Sequence, residues 1–155
     1  MIKISTEFDN NDFIPKKYTC DGENINPKII IQDIPKKAKT LVIICDDSDA
    51  PFKTFVHWII WNIPVKDSYI IVKEGLPKIN VLPNNAKQGL NDFGKLGYYG
   101  PCPSKHNEIH HYFFKVYAIN TKLELDGKIT KNILEKAFKN FVVDEGKIVG
   151  LYKRT

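Results

Sequence analysis

The stretch LVIICDDSDAPFKTFVHWIIWNI, residues 41–63, decides the fold class. Its first five residues, Leu41 to Cys45, are apolar without a break and rich in β-branched side chains, with acids and a proline on their C-terminal side. A short apolar run stopped by turn residues is the pattern of a fully buried strand. Asp46-Asp47-Ser48-Asp49-Ala50-Pro51 then reads as a turn, and Phe55 to Ile63 reads as a second buried strand. That second run carries two misfits, His57 and Asn62, among Phe, Val, Trp and Ile. Asp46, Asp47 and Asp49 lie within four residues. They repel one another and are costly to bring near a core, so a fold that keeps them supplies partners. His57 is a candidate partner. The plainer alternative is a solvated acidic turn followed by a core histidine bonded to a backbone carbonyl.

On the N-terminal side, Ile2 and Ile4 alternate with Lys3 and Ser5, the period of a half-exposed strand over Ile2 to Phe8. Asp9 to Pro15 is turn-rich, Tyr18 to Pro27 is a polar loop with Gly and Asx residues, and Lys28 to Ile31 is a short strand. On the C-terminal side, Tyr69 to Val72 reads as a strand and Ala86 to Phe93 as loop, because it follows neither period. Ile109 to Ile119 is a further strand. Thr130 can cap a helix from Lys131 to Asn140, in which Ile133, Leu134, Ala137 and Phe138 share one face. Gly146 then breaks the chain before a closing strand, Lys147 to Tyr152. Many short strands, one late helix and no βαβ alternation predict a mainly antiparallel two-sheet β-sandwich.

At 155 residues the chain is long enough for one good core, and a single domain spanning 1–155 is expected. With 43% hydrophobic and 26% charged residues the composition is globular. The net charge of +5 comes from scattered lysines without a long basic block, so no nucleic-acid partner is expected, although the surface would attract anions. The opening MIKISTEFDNND has no apolar signal core and no apolar run approaches a membrane span, which predicts a cytoplasmic protein with no transmembrane segment. Three cysteines, Cys20, Cys45 and Cys102, fit neither a secreted disulfide framework nor a metal knuckle. Cys45 reads as a buried thiol. Cys20 and Cys102 each sit beside a candidate site segment, and a bridge between them is one of the pairings the sequence leaves open.

Of four histidines, His106, His110 and His111 lie close together and His57 lies apart. In a strand His110 and His111 point to opposite faces, so at most one enters a pocket that His57 also lines. Just upstream, Gly97-Tyr98-Tyr99-Gly100-Pro101-Cys102-Pro103 combines close-approach freedom at the glycines with stiffness at the prolines. Such a loop can aim main-chain N–H groups at an anion, though its prolines supply none.

Asp47-Ser48-Asp49-Ala50-Pro51, Val56-His57-Trp58, the Gly97–Pro103 loop and His110-His111-Tyr112-Phe113-Phe114 resemble, in order and spacing, the phosphatidylethanolamine-binding protein family, also called the Raf kinase inhibitor protein family. Tyr18-Thr19-Cys20-Asp21-Gly22-Glu23-Asn24 and Trp61-Asn62-Ile63-Pro64 look like its short prokaryotic branch, and the likeness covers nearly the whole chain. The resemblance implies an antiparallel sandwich with a small preformed anion pocket lined by Asp47, His57, Gly100, Pro101 and His110. Asp49, Pro51 and Pro103 would shape its wall, and Ala50-Pro51 is a candidate cis peptide by the same likeness. Three departures stand out. Ser48 replaces the usual proline, Ser104-Lys105-His106-Asn107-Glu108 replaces the usual approach to the histidine strand, and the sequence stops about where its last strand ends, without the long C-terminal segment of animal members.

In such a pocket Asp47 is expected to raise the pKa values of His57 and His110, giving imidazolium donors for phosphate or carboxylate, while its own charge receives an ammonium group. The leading expectation is a non-enzymatic binder of small anions or phospholipid head groups, with no cofactor and no metal. The alternative is an inhibitor of a serine protease or kinase that acts through a surface loop. An enzyme would need Cys102 or Ser104 as nucleophile beside His110, or Asp47, Asp49, His57 and His110 as metal ligands. The chain has neither a Gly-x-Ser-x-Gly elbow nor a His-x-x-x-His pair. A homodimer is a candidate assembly, with no single patch marking it.

Overall fold

The apolar runs at 41–45 and 55–63 are partners in the fold. In the computed structural model, which describes residues 1–105 and 107–155, strand β4 (Thr40–Asp47) is buried throughout and pairs antiparallel with β5 (Phe55–Pro64). Its other edge pairs antiparallel with β8 (His110–Ile119). Residues 41–45 of β4 are apolar without a break because both faces of the strand are covered. Leu41, Ile43 and Cys45 enter one core and Val42 and Ile44 enter another, the two-residue period of a strand with a layer on each side.

The larger sheet is completed by β9 (Val142–Tyr152) on β8, the two-residue β2 (Asp12–Phe13) beside β9, and β7 (Lys87–Gln88) beside β5. The smaller sheet has the order β1 (Lys3–Ser5), β3 (Ile29–Gln32), β6 (Ile70–Val72). The first core fills the space between the two sheets. The second lies under α1 (Lys131–Phe138), whose Leu134 and Phe138 pack on the outer face of the larger sheet. Among the described residues no helix is long and apolar enough to cross a membrane.

The expected two-sheet sandwich with one late helix is present, with one correction. The pairing of β2 with β9 is parallel, so the larger sheet is mixed rather than wholly antiparallel. The Asp9–Pro15 segment does more than turn. Asn11 adopts a positive φ of 65° and donates its N–H to the Val149 carbonyl at 2.8 Å, and Ile14 donates to Leu151 at 2.8 Å, which lays the chain along β9. Gly146 does not break the closing strand. It lies inside β9, where an added Cβ would come within 2.8 Å of the Ile2 carbonyl, so the glycine permits the close approach of the N-terminal segment. The helix ends two residues before the expected Asn140, and Thr130 sits at its N-cap without a side-chain cap bond.

Both misfits of β5 mark β-bulges. Pairing passes from Cys45–Trp58 to Asp46–Val56, leaving His57 as the extra residue, and from Leu41–Ile63 to Ile43–Ile60, with Asn62 at φ 58°. A bulge re-aims a side chain that strict alternation would place elsewhere. Asn62 uses that freedom to clasp Leu123, donating Nδ2–H to its carbonyl and accepting its N–H, both at 2.8 Å. His57 uses it to face a cavity.

Candidate functional site

The three crowded acids each have a partner of their own. Asp46 and Asp47 are consecutive in β4 and therefore face opposite ways. The Asp46 carboxylate is 1% exposed and accepts from Lys115 Nζ at 3.1 Å and Lys131 Nζ at 3.0 Å, all through Oδ2, tying β8 and the start of α1 to β4. Its Oδ1 is buried without a partner among the described residues. Asp47 turns inward, where His110 Nδ1 donates to its Oδ2 at 2.6 Å and the Asp49 N–H donates to its Oδ1 at 2.8 Å. Asp49 accepts from both the backbone N–H and the Nδ1 of His111 at 2.7 Å. Partial burial pushes the Asp49 carboxyl up, and the bonds from His111 outweigh it, leaving the group below the usual carboxylate range. His57 is therefore not the acids' partner.

In register, Asp47 lies opposite Tyr112, so His110, two residues earlier on β8, is its diagonal neighbour on the same face, while the exposed His111 points away. The expected alternation of the two histidines holds. His106 lies outside the described residues.

His57 is 3% exposed, and its Nδ1 sits 2.6 Å from the Tyr99 carbonyl. A carbonyl only accepts, so Nδ1 carries the proton. The ring is packed among aromatics, with centroids 5.1 Å from Phe55, 5.3 Å from Tyr112 and 5.6 Å from Phe93. Burial pushes the His57 pKa below its ordinary value, against the opposing pulls of the Tyr99 carbonyl, Asp47, Asp46 and Asp92. This corrects the expectation that Asp47 raises it. Desolvation wins, and His57 rests as a neutral imidazole whose free nitrogen, Nε2, bears a lone pair. The plainer sequence reading, a core histidine on a backbone carbonyl, describes half of its role.

A cavity of about 250 Å³ is lined by Asp47, Pro51, His57, Pro103 and His110 from the expected set. Ala50, Cys102, Ser104 and Tyr112 also line it, together with two aromatics outside that set, Phe55 and Phe93. The Phe93 segment looked formless because neither period applies to it. A turn built on Asn91 shapes it, with Oδ1 accepting the N–H of Phe93 at 2.9 Å and of Lys95 at 3.2 Å. The Asn91-Asp92-Phe93-Gly94 run carries that turn signature.

Asp49, Gly100 and Pro101 do not line the cavity: Asp49 is turned to His111, and Gly100 and Pro101 are tied to the loop from Tyr18 to Asn24. The Gly100 N–H, expected to serve an anion, donates to Asn24 Oδ1 at 2.7 Å. A Cβ at Gly100 would collide with the Tyr18 carbonyl, so glycine is required there by close approach. Cys20 donates its N–H to Pro101 at 3.1 Å, Tyr98 donates its hydroxyl proton to Tyr18 at 2.7 Å, and a disulfide joins Cys20 to Cys102 with Cα atoms 5.4 Å apart. The polar loop from Tyr18 to Asn24 thus backs the lip of the cavity. Cys102 offers no thiol nucleophile beside His110, and the free Cys45 is buried. The expected cis bond at Ala50-Pro51 is also corrected, since every described peptide bond is trans. The reversal is made instead at Phe52, whose φ is 74°, with the Lys53 N–H donating to Pro51 at 2.9 Å.

The cavity thus combines a carboxylate held to one imidazole, a second neutral imidazole, and aromatic and proline walls. Among the described residues no three His, Cys, Asp or Glu side chains are grouped to hold a metal ion.

The family model described as phosphatidylethanolamine-binding protein matches residues 4–153. A UPF0098 protein of Pyrococcus abyssi is 48% identical over 99% of this chain and 86% of its own length. Another, from Methanothermobacter thermautotrophicus, is 44% identical over 95% of both. Among solved structures, a phosphatidylethanolamine-binding protein homolog from Chlamydia trachomatis superposes with a TM-score of 0.87 at 31% identity, covering 99% of this chain and 98% of that one. Escherichia coli YbcL, described as a member of the mammalian family, superposes with a TM-score of 0.89 at 26% identity, covering 99% of each.

Proposed function

The chain belongs to the phosphatidylethanolamine-binding protein family, a family of generally non-enzymatic binding proteins, and from that premise we propose that its Asp47–His57–His110 cavity binds small anions of the phosphate or phospholipid head-group class without transforming them. The observation that carries the reading is the meeting of these three side chains, distant in sequence, on one cavity of about 250 Å³.

Each residue has a part in the proposal. Asp47 fixes the His110 ring through Nδ1, which leaves Nε2 to face an anion, toward which it donates in the imidazolium form. His57, neutral at rest, takes up a proton as the anion arrives, because a negative charge beside it offsets the burial that otherwise keeps it neutral. The Asp47 charge complements an ammonium group, so a zwitterionic head group suits the site better than a bare anion. Phe55, Phe93, Pro51 and Pro103 supply an apolar collar that excludes water and strengthens these contacts.

Calorimetric titration with sulfate, whose charge does not change across the range, at about pH 5.5 and about pH 8 tests this coupling. Affinity is expected to fall about tenfold or more at the higher pH and to be lost in His110→Gln. Equal affinity at both pH values, or full affinity in that variant, would contradict it.

A second reading, inhibition of a protease or kinase by a surface loop, is favoured by one feature. Phe52 is fully exposed at the tip of the Ser48–Thr54 turn. Inhibition of any member of a serine protease panel that disappears in Phe52→Ala and survives His110→Gln would establish it.

A further inference from the structure

A second cavity lies away from the anion site and shares none of its lining residues. It has a volume of about 390 Å³ and sits where the core between the two sheets reaches its β5–β6 edge. Ile60 and Ile63 of β5 form one wall, Ile70 and Val72 of β6 another, and Leu76 and Leu82 of the following loop close it. The reason for the space is visible in the strand lengths. Strand β6, three residues long, ends the smaller sheet, and β7, two residues long, ends the larger, so neither sheet extends far enough to seal the layers.

The closing loop is fastened rather than free to collapse inward. Asn26 donates Nδ2–H to the Lys73 carbonyl and accepts the Leu76 N–H, both at 2.8 Å. Gln88 donates Nε2–H to the Pro77 carbonyl at 2.8 Å and to the Ile79 carbonyl at 2.9 Å. A space this size, walled by aliphatic side chains, offers water few hydrogen-bond partners and suits an apolar occupant.

Two further observations identify that occupant. The same two segments expose Tyr69, Ile71, Ile79 and Val81 by 46–48% each, an apolar fringe continuous in sequence with the cavity lining. The one charged side chain among the lining residues is Lys73, with no acid beside it in the lining. Apolar walls, an apolar fringe and a single cation complement a molecule with an aliphatic chain and one negative charge. We infer that this cavity is a second binding site, for medium-chain aliphatic carboxylates, with the chain between the two sheets and the carboxylate on Lys73.

The probes are hexanoate, octanoate and decanoate, titrated calorimetrically below their micellar concentrations, with octan-1-ol as the uncharged control. Affinity should rise about threefold to fourfold per added methylene until the cavity is full, as burial of aliphatic carbon requires. Lys73→Glu should weaken octanoate about tenfold and leave octan-1-ol unchanged. Saturating sulfate and His110→Gln should change neither. Ile70→Trp, which fills the space, should abolish binding, and the unaltered protein supplies an independent readout through nuclear Overhauser contacts from the octanoate chain to the methyl groups of Ile60, Ile63 and Ile70.

Four results would overturn the inference. These are affinity independent of chain length, competition by sulfate, contacts confined to other methyl groups, and a concentration-dependent dimer that Ile71→Asp dissolves. The last would assign the fringe to a second copy of this chain.

Discussion

Breaking the Cys20–Cys102 bridge should destabilise the protein by an amount set by its position in the chain. The bridge joins residues 82 positions apart, from the loop backing the cavity lip to the lip itself. Closing a loop of that length removes about 15 cal/mol/K from the unfolded chain, or about 4.5 kcal/mol at 25 °C. At about 2.1 cal/mol/K of unfolding entropy per residue, a chain of 155 residues converts that loss into a fall in Tm of about 14 °C. The native lip retains its other fastenings, the bonds from Gly100 to Asn24, from Cys20 to Pro101 and from Tyr98 to Tyr18. The folded structure, and with it sulfate affinity to within a fewfold, should therefore survive. Differential scanning calorimetry of the oxidised protein, of the phosphine-reduced protein and of Cys20→Ser/Cys102→Ser measures the effect. Thiol titration in denaturant supplies the control, with one reactive thiol expected before reduction, from Cys45, and three after. A fall in Tm of only a degree or two, with the thiol counts as expected, would refute the loop-entropy reasoning.

Other perturbations have equally definite outcomes. His57 is held neutral by burial in the folded protein and titrates near its ordinary value when unfolded. Below about pH 6.5 the unfolded state binds the extra proton, and stability should decline by up to about 1.4 kcal/mol per pH unit. His57→Gln should remove that share of the slope in urea titrations, and an unchanged slope would locate the pH dependence elsewhere. Asn62→Ala orphans the buried N–H and carbonyl of Leu123 and forces alanine to a positive φ, for an expected loss of about 3 kcal/mol in chemical denaturation. Gly100→Ala drives a methyl group into the Tyr18 carbonyl and should cost about 2 kcal/mol while weakening sulfate binding. Stability equal to the parent would mean that the lip can shift at little cost.

What could be read from the chain, and what could not, divides along physical lines. Strands β4, β5 and β8 were legible because long apolar runs have few alternatives, and the two-residue period correctly sent His110 and His111 to opposite faces. The two-residue strands β2 and β7 were not legible, because nothing in two residues distinguishes a strand from a turn until the neighbouring edge is in place. Gly146 looks like a break for the same reason, since the close approach of Ile2 that explains it is a tertiary fact. At the site, His57 and Asn62 announced themselves as misfits, yet the bulges that accommodate them depend on pairing with β4. The direction of the His57 shift turned on a competition between burial and charge that sequence proximity to Asp47 cannot weigh. Gly100 and Pro101 illustrate the converse, since a motif can matter to a cavity by bracing its wall from behind.

The proposed site requires His57 and His110 to serve one ligand together. In protein labelled with ¹⁵N at its histidine rings, adding sulfate at about pH 6.5 should shift the Nε2 resonances of both His57 and His110 along a single saturation curve. The ring of His111, turned away toward Asp49, should hold its position. Shifts confined to His111, or separate curves for His57 and His110, would contradict the shared cavity as the place where the anion binds.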